Sequence, residues 1–266
     1  MAFTEARLVK IPDKNGGVNI YPVMDARNKR ARKNITNNLA NLSTAIAEQN
    51  LQKYGYDIGD YFKGPSGYEY IIADENTFHG RNFGETGDYI ALTYAVVVEN
   101  HITIVVNTRQ NVQWNTSATT QTGYNGSNLH SYMVNTVLPK VKSDLTSLFG
   151  SWDNHLIAHQ KLLTTSASGW AWQSGQYISA LTSMQIHGSP ICDLNFYSTG
   201  EGNKPLAVFQ KYFYPDVLGN QNNWLRSIAT DSASAGCPCS AANTGLANGD
   251  HHASYSLAGV GLIIFK

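Results

Sequence analysis

The apolar positions of this chain fall into segments of different rhythm. Near the N-terminus, Leu8-Val9-Lys10-Ile11-Pro12 and Val18-Asn19-Ile20-Tyr21-Pro22-Val23 flank Asp13-Lys14-Asn15-Gly16-Gly17. β-branched runs on either side of a Gly-containing turn predict two short strands. Two strands alone are not stable in water, so residues 1–27 form an arm expected to dock on its own body or on a neighbouring subunit. The rhythm then changes. Ile35, Leu39, Leu42 and Ile46 follow one another in steps of four, three and four, which predicts a helix over residues 28–55. That spacing is the seam of a coiled coil, and it also suits an amphipathic helix lying on a globular core. Asn34, Thr36, Asn37, Asn38 and Asn41 are weak helix formers, so the helix needs a packing partner. Self-association as a homotrimer is the preferred expectation, with packing on its own domain as the alternative.

From Tyr56 onward the period shortens. Tyr68 to Ala73, Tyr89 to Val98 and His101 to Asn107 are β-branched and aromatic and read as strands, with Glu99-Asn100 as a turn between the last two. Asn111 to Asn125 reads as a loop. Ser127 can cap a helix carrying Leu129, Met133 and Val137. Pro139 cannot sit inside a helix without removing a hydrogen bond, so it is expected in the first turn of a second one. That second helix carries Val141, Leu145, Leu148 and Phe149 and ends at Gly150. His155 to Thr164 reads as a strand, Thr165 to Gly169 as a loop, and Tyr177 to His187 as an element flanked by Trp170 and Trp172. Phe209 to Tyr214 reads as aromatic core. Strands with helices grouped in the middle make an α+β pattern for residues 56–266.

The C-terminal stretch has a pattern of its own. Trp224-Leu225-Arg226-Ser227 and the run Val260 to Phe265 are apolar anchors. Between them the chain is almost wholly Ser, Ala, Gly, Asn, Thr, Asp, Cys, His and Tyr. Small polar residues between two buried ends describe a loop or short ribbon on a rigid base, the usual form of a binding surface.

Charge supports that picture. Only 14% of the 266 residues are charged, and Lys plus Arg balances Asp plus Glu at 19 each. No global field draws the chain to nucleic acid or to an anionic membrane, and a neutral amide- and hydroxyl-rich surface suits a glycan or a protein. A basic patch at Arg27, Lys29, Arg30, Arg32 and Lys33 reads as a solvated linker or a contact with an acidic partner. No apolar run approaches eighteen residues, so no membrane insertion is expected. The first seventeen residues lack an apolar segment of signal-peptide length. Three cysteines do not suggest a disulfide framework.

One ordered set of phrases carries a resemblance. It comprises Asn154-His155-Leu156-Ile157, Gly169-Trp170-Ala171-Trp172, Ala180 through Ser189, Trp224-Leu225-Arg226-Ser227 and Gly259-Val260. It resembles the C-type-lectin-like domains of bacteriophage tail and head appendages over about residues 127–265, and more weakly back to Tyr56. The final strand reads Gly259-Val260-Gly261-Leu262, where that family has Gly-Val-Arg-Pro, so any role of that arginine has no counterpart here. The resemblance implies a virion subunit that attaches to other virion proteins by its N-terminal arm, trimerises, and recognises a host-surface glycan or protein. It also implies a surface loop that is sometimes diversified between isolates. A structural decoration or fibre protein binding only other virion subunits is the rival from another class.

Candidate residues follow. Asp231, Asn243, Asn248, Asp250, His251, His252 and Tyr255 offer hydrogen bonds and one ring for ligand contact. Trp224 reads as a buried anchor, and Arg226 as pairing with a buried carboxylate or carbonyls. Cys237, Cys239, His251 and His252 have the right chemistry for zinc, but C-x-C and adjacent histidines are not its usual spacing, so no metal or other cofactor is assigned. Calcium-dependent sugar binding is not supported, because Glu-Pro-Asn and Gln-Pro-Asp are absent. No Gly-x-Ser-x-Gly elbow, phosphate loop or H-E-x-x-H occurs. The lectin-like fold is related to formylglycine-generating enzymes, but their reactive cysteine pair is not matched by Cys192, Cys237 and Cys239. His155 and His159 could share one face without forming a recognisable site, and no catalytic residue is assigned.

Overall fold

The computed structural model describes residues 7–12, 18–23, 30–77, 99–117, 122–164, 170–187, 205–228, 238–241, 247–248 and 253–266. The chain divides into two units, Met1–Arg32 and Lys33–Lys266. In the first, β1 (Arg7–Pro12) pairs antiparallel with β2 (Val18–Val23), with Arg7 opposite Val23 and Pro12 opposite Val18. This is the hairpin expected from the Gly-containing turn.

Among the described residues, the second unit is built on an eight-stranded sheet. Its strands are β3 (Tyr61–Lys63), β4 (Glu69–Glu75), β5 (Ile102–Gln113), β8 (Ser179–Ala180), β9 (Asn223–Ile228), β10 (Pro238–Ala241), β11 (Ala247–Asn248) and β12 (Ser256–Phe265). The spatial order is β11-β10-β9-β12-β5-β4-β3, with β8 also pairing on β12. Every pairing is antiparallel except β9 with β12. A separate hairpin joins β6 (His159–Thr164) to β7 (Trp170–Gln176).

Both faces of the central strands are buried, which is why they read as continuous apolar runs rather than as a clean alternation. Tyr70, Ile72, Ile104, Val106, Ile263 and Phe265 face one core. Ile71, Ala73, Val105, Val260 and Leu262 face another. Over the first core lie α1 (Leu42–Ala47), α2 (Asn128–Tyr132) and α3 (Leu138–Phe149). Over the second lie α4 (Ser183–His187), α5 (Ala207–Lys211) and α6 (Tyr214–Leu218). The class is α+β, with the sheet sandwiched between helical layers.

The helix at 28–55 is corrected. Among the described residues only Leu42–Ala47 is α-helical, followed by a 3₁₀ turn at Gln52–Tyr54. Residues 33–35 run extended beside Tyr61: Tyr61 N–H donates to the Lys33 carbonyl at 3.0 Å and Ile35 N–H to the Tyr61 carbonyl at 2.8 Å. The Asn34 side chain accepts from Thr36 N–H at 3.0 Å and from the Thr36 hydroxyl at 2.6 Å. Asn side chains that bond nearby backbone compete with helix formation, and here they prevail. Ile35, Leu42 and Ile46 are buried in the core of their own chain, and Leu39 packs against it. These four residues therefore serve the core of the Lys33–Lys266 unit rather than an intersubunit seam.

The middle helices follow their sequence signals more closely. Ser127 Oγ accepts from His130 N–H at 3.0 Å and caps α2. The helix does not stop for Pro139. It passes through one π turn, Met133–Val137, directly into α3, with Pro139 in the first turn. A π turn shifts the hydrogen-bond ladder where the missing Pro N–H would have broken it. Gly150, at φ +82°, closes α3 in the left-handed region. Asp144 is buried inside this helix layer. It accepts from the Ser66 N–H at 2.9 Å, the Ser66 hydroxyl and the Tyr70 hydroxyl at 2.6 Å, pinning α3 to the β3–β4 turn.

Other boundaries move. β5 continues to Gln113, into the stretch expected as a loop, and Tyr177–His187 divides into β8 and α4. The strand expected at 89–98 lies outside the described residues. On β12, Gly259 and Gly261 face the α2–α3 layer. A Cβ at Gly261 would stand 2.8 Å from Ile178 Cδ1, and one at Gly259 3.0 Å from the Tyr132 ring. Gly259 thus lets the helical layer approach the sheet closely, and Gly261 makes room for Ile178 just before β8.

Candidate functional site

The C-terminal segment is held by two tryptophans. Trp224 on β9 and Trp114 just beyond β5 are both fully buried. Trp224 Nε1 donates to the Val112 carbonyl at 2.8 Å, and Trp114 Nε1 donates to the Leu225 carbonyl at 3.0 Å. Because β12 lies between β9 and β5, the two indoles lock its flanking strands reciprocally across it. The entry to β12 is tied as well: Asn115 N–H donates to the Ala253 carbonyl and Ala258 N–H to the Asn222 carbonyl, at 2.9 and 3.0 Å.

Between these anchors the chain forms more than a loop. β10 returns antiparallel along β9, with Ser240 opposite Trp224, and β11 follows with Asn248 opposite Ser240. Part of the small polar stretch thus extends the sheet edge. Asn248 lies on β11, and Tyr255 is 50% exposed just before β12. Asp231, Asn243, Asp250, His251 and His252 lie outside the described residues, as does Cys237, while Cys239 lies on β10. Arg226 is buried, and its N–H donates to the Leu181 carbonyl at 2.9 Å. Among the described residues no group of three His, Cys, Asp or Glu is placed to hold a metal ion.

Beside this edge the structure brings the end of α4 together with residues 209–215, a stretch that includes the expected aromatic core. α4 lies against β10. It is opened by a reciprocal cap: Thr182 N–H donates to Gln185 Oε1 at 2.9 Å and Gln185 N–H to Thr182 Oγ1 at 3.1 Å. This is a capping box, legible as Thr-x-x-Gln in the sequence. The Gln185 carbonyl accepts from Leu206 N–H at 2.8 Å and so joins α4 to the start of α5. Between α5 and α6, Tyr212 and Phe213 are both extended. Successive extended residues point to opposite sides. Tyr212 and Tyr214 accordingly turn inward, while Phe213 is 68% exposed. The expectation that Phe209 to Tyr214 is an aromatic core cluster is corrected at Phe213, and Phe209 is half-buried.

These elements surround a pocket of about 190 Å³, walled by Ile186 and His187, by Phe209, and by residues 212–215. The Phe209 and Tyr214 rings stack at 5.9 Å. Tyr214 is fixed from behind, because Asn223 Nδ2 at the start of β9 donates to its hydroxyl at 2.6 Å. Burial pushes the Tyr214 phenol well above its ordinary pKa, with the Asn223 bond opposing. Burial also holds the His187 imidazole below its usual pKa, so it is neutral at pH 7. His187 Nε2 is buried and makes no hydrogen bond among the described residues.

Comparison with protein-family models, curated proteins and solved structures gave no match. The chemistry open to the site is set by its own residues. Rings, an imidazole and backbone groups can bind a neutral molecule, and none of the described wall residues is a carboxylate, ammonium or guanidinium.

Proposed function

We propose that the protein is a surface subunit of a phage virion, in the head or the tail, that recognises a host receptor or glycan with the β9–β12 end of a C-type-lectin-like body. The observation that carries this reading is the tryptophan lock. A segment of small, hydrogen-bonding residues, charged only at Asp231 and Asp250, joins two strands held rigidly by Trp224 and Trp114. Investing two buried indoles in the base of such a segment suits a surface that must keep its shape while its side chains read a partner. The near absence of net charge favours a neutral glycan or protein over nucleic acid. The action is reversible binding, without turnover. Several copies on one particle would raise a weak single-site affinity to useful avidity.

A structural role, binding only other virion subunits, is the second reading. The N-terminal hairpin favours it, because two strands forming their own unit need a surface to dock on. Fluorescently labelled full-length protein distinguishes the two when incubated with host cells. Saturable binding that unlabelled protein competes away is expected. Failure to bind any host strain, together with loss of intact particles on deleting the gene, would replace recognition by the structural role.

A further inference from the structure

The pocket between α4, α5 and α6 has features that the fold itself does not need. A core aromatic gains by being covered, yet Phe213 keeps most of its surface in water while its neighbours Tyr212 and Tyr214 are buried. Exposed large apolar side chains with a concave neighbourhood mark ligand sites more often than scaffolding. The placement is enforced. The extended backbone at residues 212–213 turns Phe213 outward, and the Asn223 bond holds Tyr214 against Phe209.

We propose that this pocket binds one neutral six-membered sugar ring of a glycan, as the primary subsite of the surface described above. The proposal rests on the recognition reading for its biological meaning, though not for its chemistry. Three observations select this ligand. The volume of about 190 Å³ accommodates a single ring with its substituents and is below the range of drug-sized pockets. No charged side chain lines the wall, and Lys211, the nearest cation on α5, is engaged with Asp57 at 2.6 Å. A phosphate, sulfate or carboxylate ligand would find no counter-charge there.

The wall is also amphipathic. Aromatic faces match the C–H face of a pyranose, and His187 Nε2, buried without a partner among the described residues, would gain one from a sugar hydroxyl that reaches it. An aliphatic or aromatic peptide side chain would fill the same volume and leave His187 Nε2 still without a partner, whereas a hydroxyl would supply one, which favours the sugar. The pocket adjoins the proposed recognition surface through α4, which packs on β10, and through the Asn223–Tyr214 bond.

Saturation-transfer NMR of the full-length protein tests this, with neutral methyl pyranosides (gluco, galacto, manno, N-acetylglucosamine and rhamno) and N-acetyl-phenylalanine amide as probes. At least one glycoside should bind, in the millimolar range expected of so small a ligand. Phe213→Ala should weaken it by about tenfold or more while leaving the melting temperature unchanged, since Phe213 is largely exposed. His187→Phe keeps the wall apolar and removes the imidazole, and it should weaken the glycoside too. No glycoside signal sensitive to Phe213 would overturn the proposal. Binding of the phenylalanine amide alone, unchanged or improved in His187→Phe, would overturn it in favour of a peptide. Failure of the intact protein to bind cells, with glycoside binding retained, would sink the recognition reading and leave the pocket assignment standing.

Discussion

At the residue scale, Asp144 is the side chain on which the helix layer depends most visibly. It is buried, and its carboxylate takes hydrogen bonds from the Ser66 N–H, the Ser66 hydroxyl and the Tyr70 hydroxyl. Replacing it with Ala strands the buried Tyr70 hydroxyl and frees the two donors of the exposed Ser66 to water, so Asp144→Ala should lower the unfolding free energy by about 1–3 kcal/mol, read by urea denaturation. Tyr70 gives the same contact a pH signature. Burial, and then the bond and charge of Asp144, raise its phenol well above the ordinary 10.0, and burial raises Tyr68 and Tyr214 as well. A raised folded-state pKa means that the unfolded chain releases its proton first. The stability these groups confer is complete below pH 10 and is lost as pH rises beyond it. Melting temperature should therefore fall above pH 10, less steeply in Tyr70→Phe. On the acid side the sign reverses. Burial lowers the pKa of His130 and His187 from 6.5, so their contribution is present above that pH and is lost as pH falls below it.

At the scale of elements, the pairing of β9, β12 and β5 is the framework for everything C-terminal. Trp114→Phe keeps the ring but removes the donor to the Leu225 carbonyl, and should cost about 1–3 kcal/mol in chemical denaturation. It should also reduce protection from hydrogen exchange along β9, which the indole holds. The short helix α1 makes a different point. Ile35, Leu42 and Ile46 have coiled-coil spacing, yet all three are buried against their own sheet. Leu42→Ala should lower the unfolding free energy by about 2–5 kcal/mol and leave the native mass in light scattering unchanged. A change of mass at constant stability would return these residues to an intersubunit role. Spacing alone does not separate the two outcomes, because a seam and a core-facing stripe share the same period.

For the whole molecule, the boundary at Arg32/Lys33 separates a hairpin from a unit that holds the described core residues. A chain beginning at Lys33 should fold with an undiminished melting temperature, measured by circular dichroism. Loss of cooperative unfolding on removing the hairpin would show that it contributes to the core. The same organisation divides the labour in the proposed function. The hairpin, too small to be stable alone, is the part suited to attachment. The β9–β11 edge of the sheet, with the adjoining pocket, is the part suited to recognition.

Local chemistry determined a definite share of this protein. The strand at Glu69–Glu75, the first part of the one at Ile102–Gln113, the Ser127 cap, the Gly150 stop and the burial of Trp224 each depend on near neighbours or on the bulk of one side chain, so they were legible residue by residue. The tertiary structure decided what depended on distant partners. Asn34 left the helical pattern because its own side chain and Tyr61 supplied better hydrogen bonds. Pro139 stayed within one helical run because a π turn absorbed its missing donor. Phe213 was set apart from two adjacent tyrosines by two extended residues between short helices, a backbone choice that composition does not encode. The pocket it borders joins α4 to α5 and α6 across nearly thirty residues of sequence, so no local pattern could announce it. Periodicity reports which face of an element is apolar, and only packing determines what that face meets.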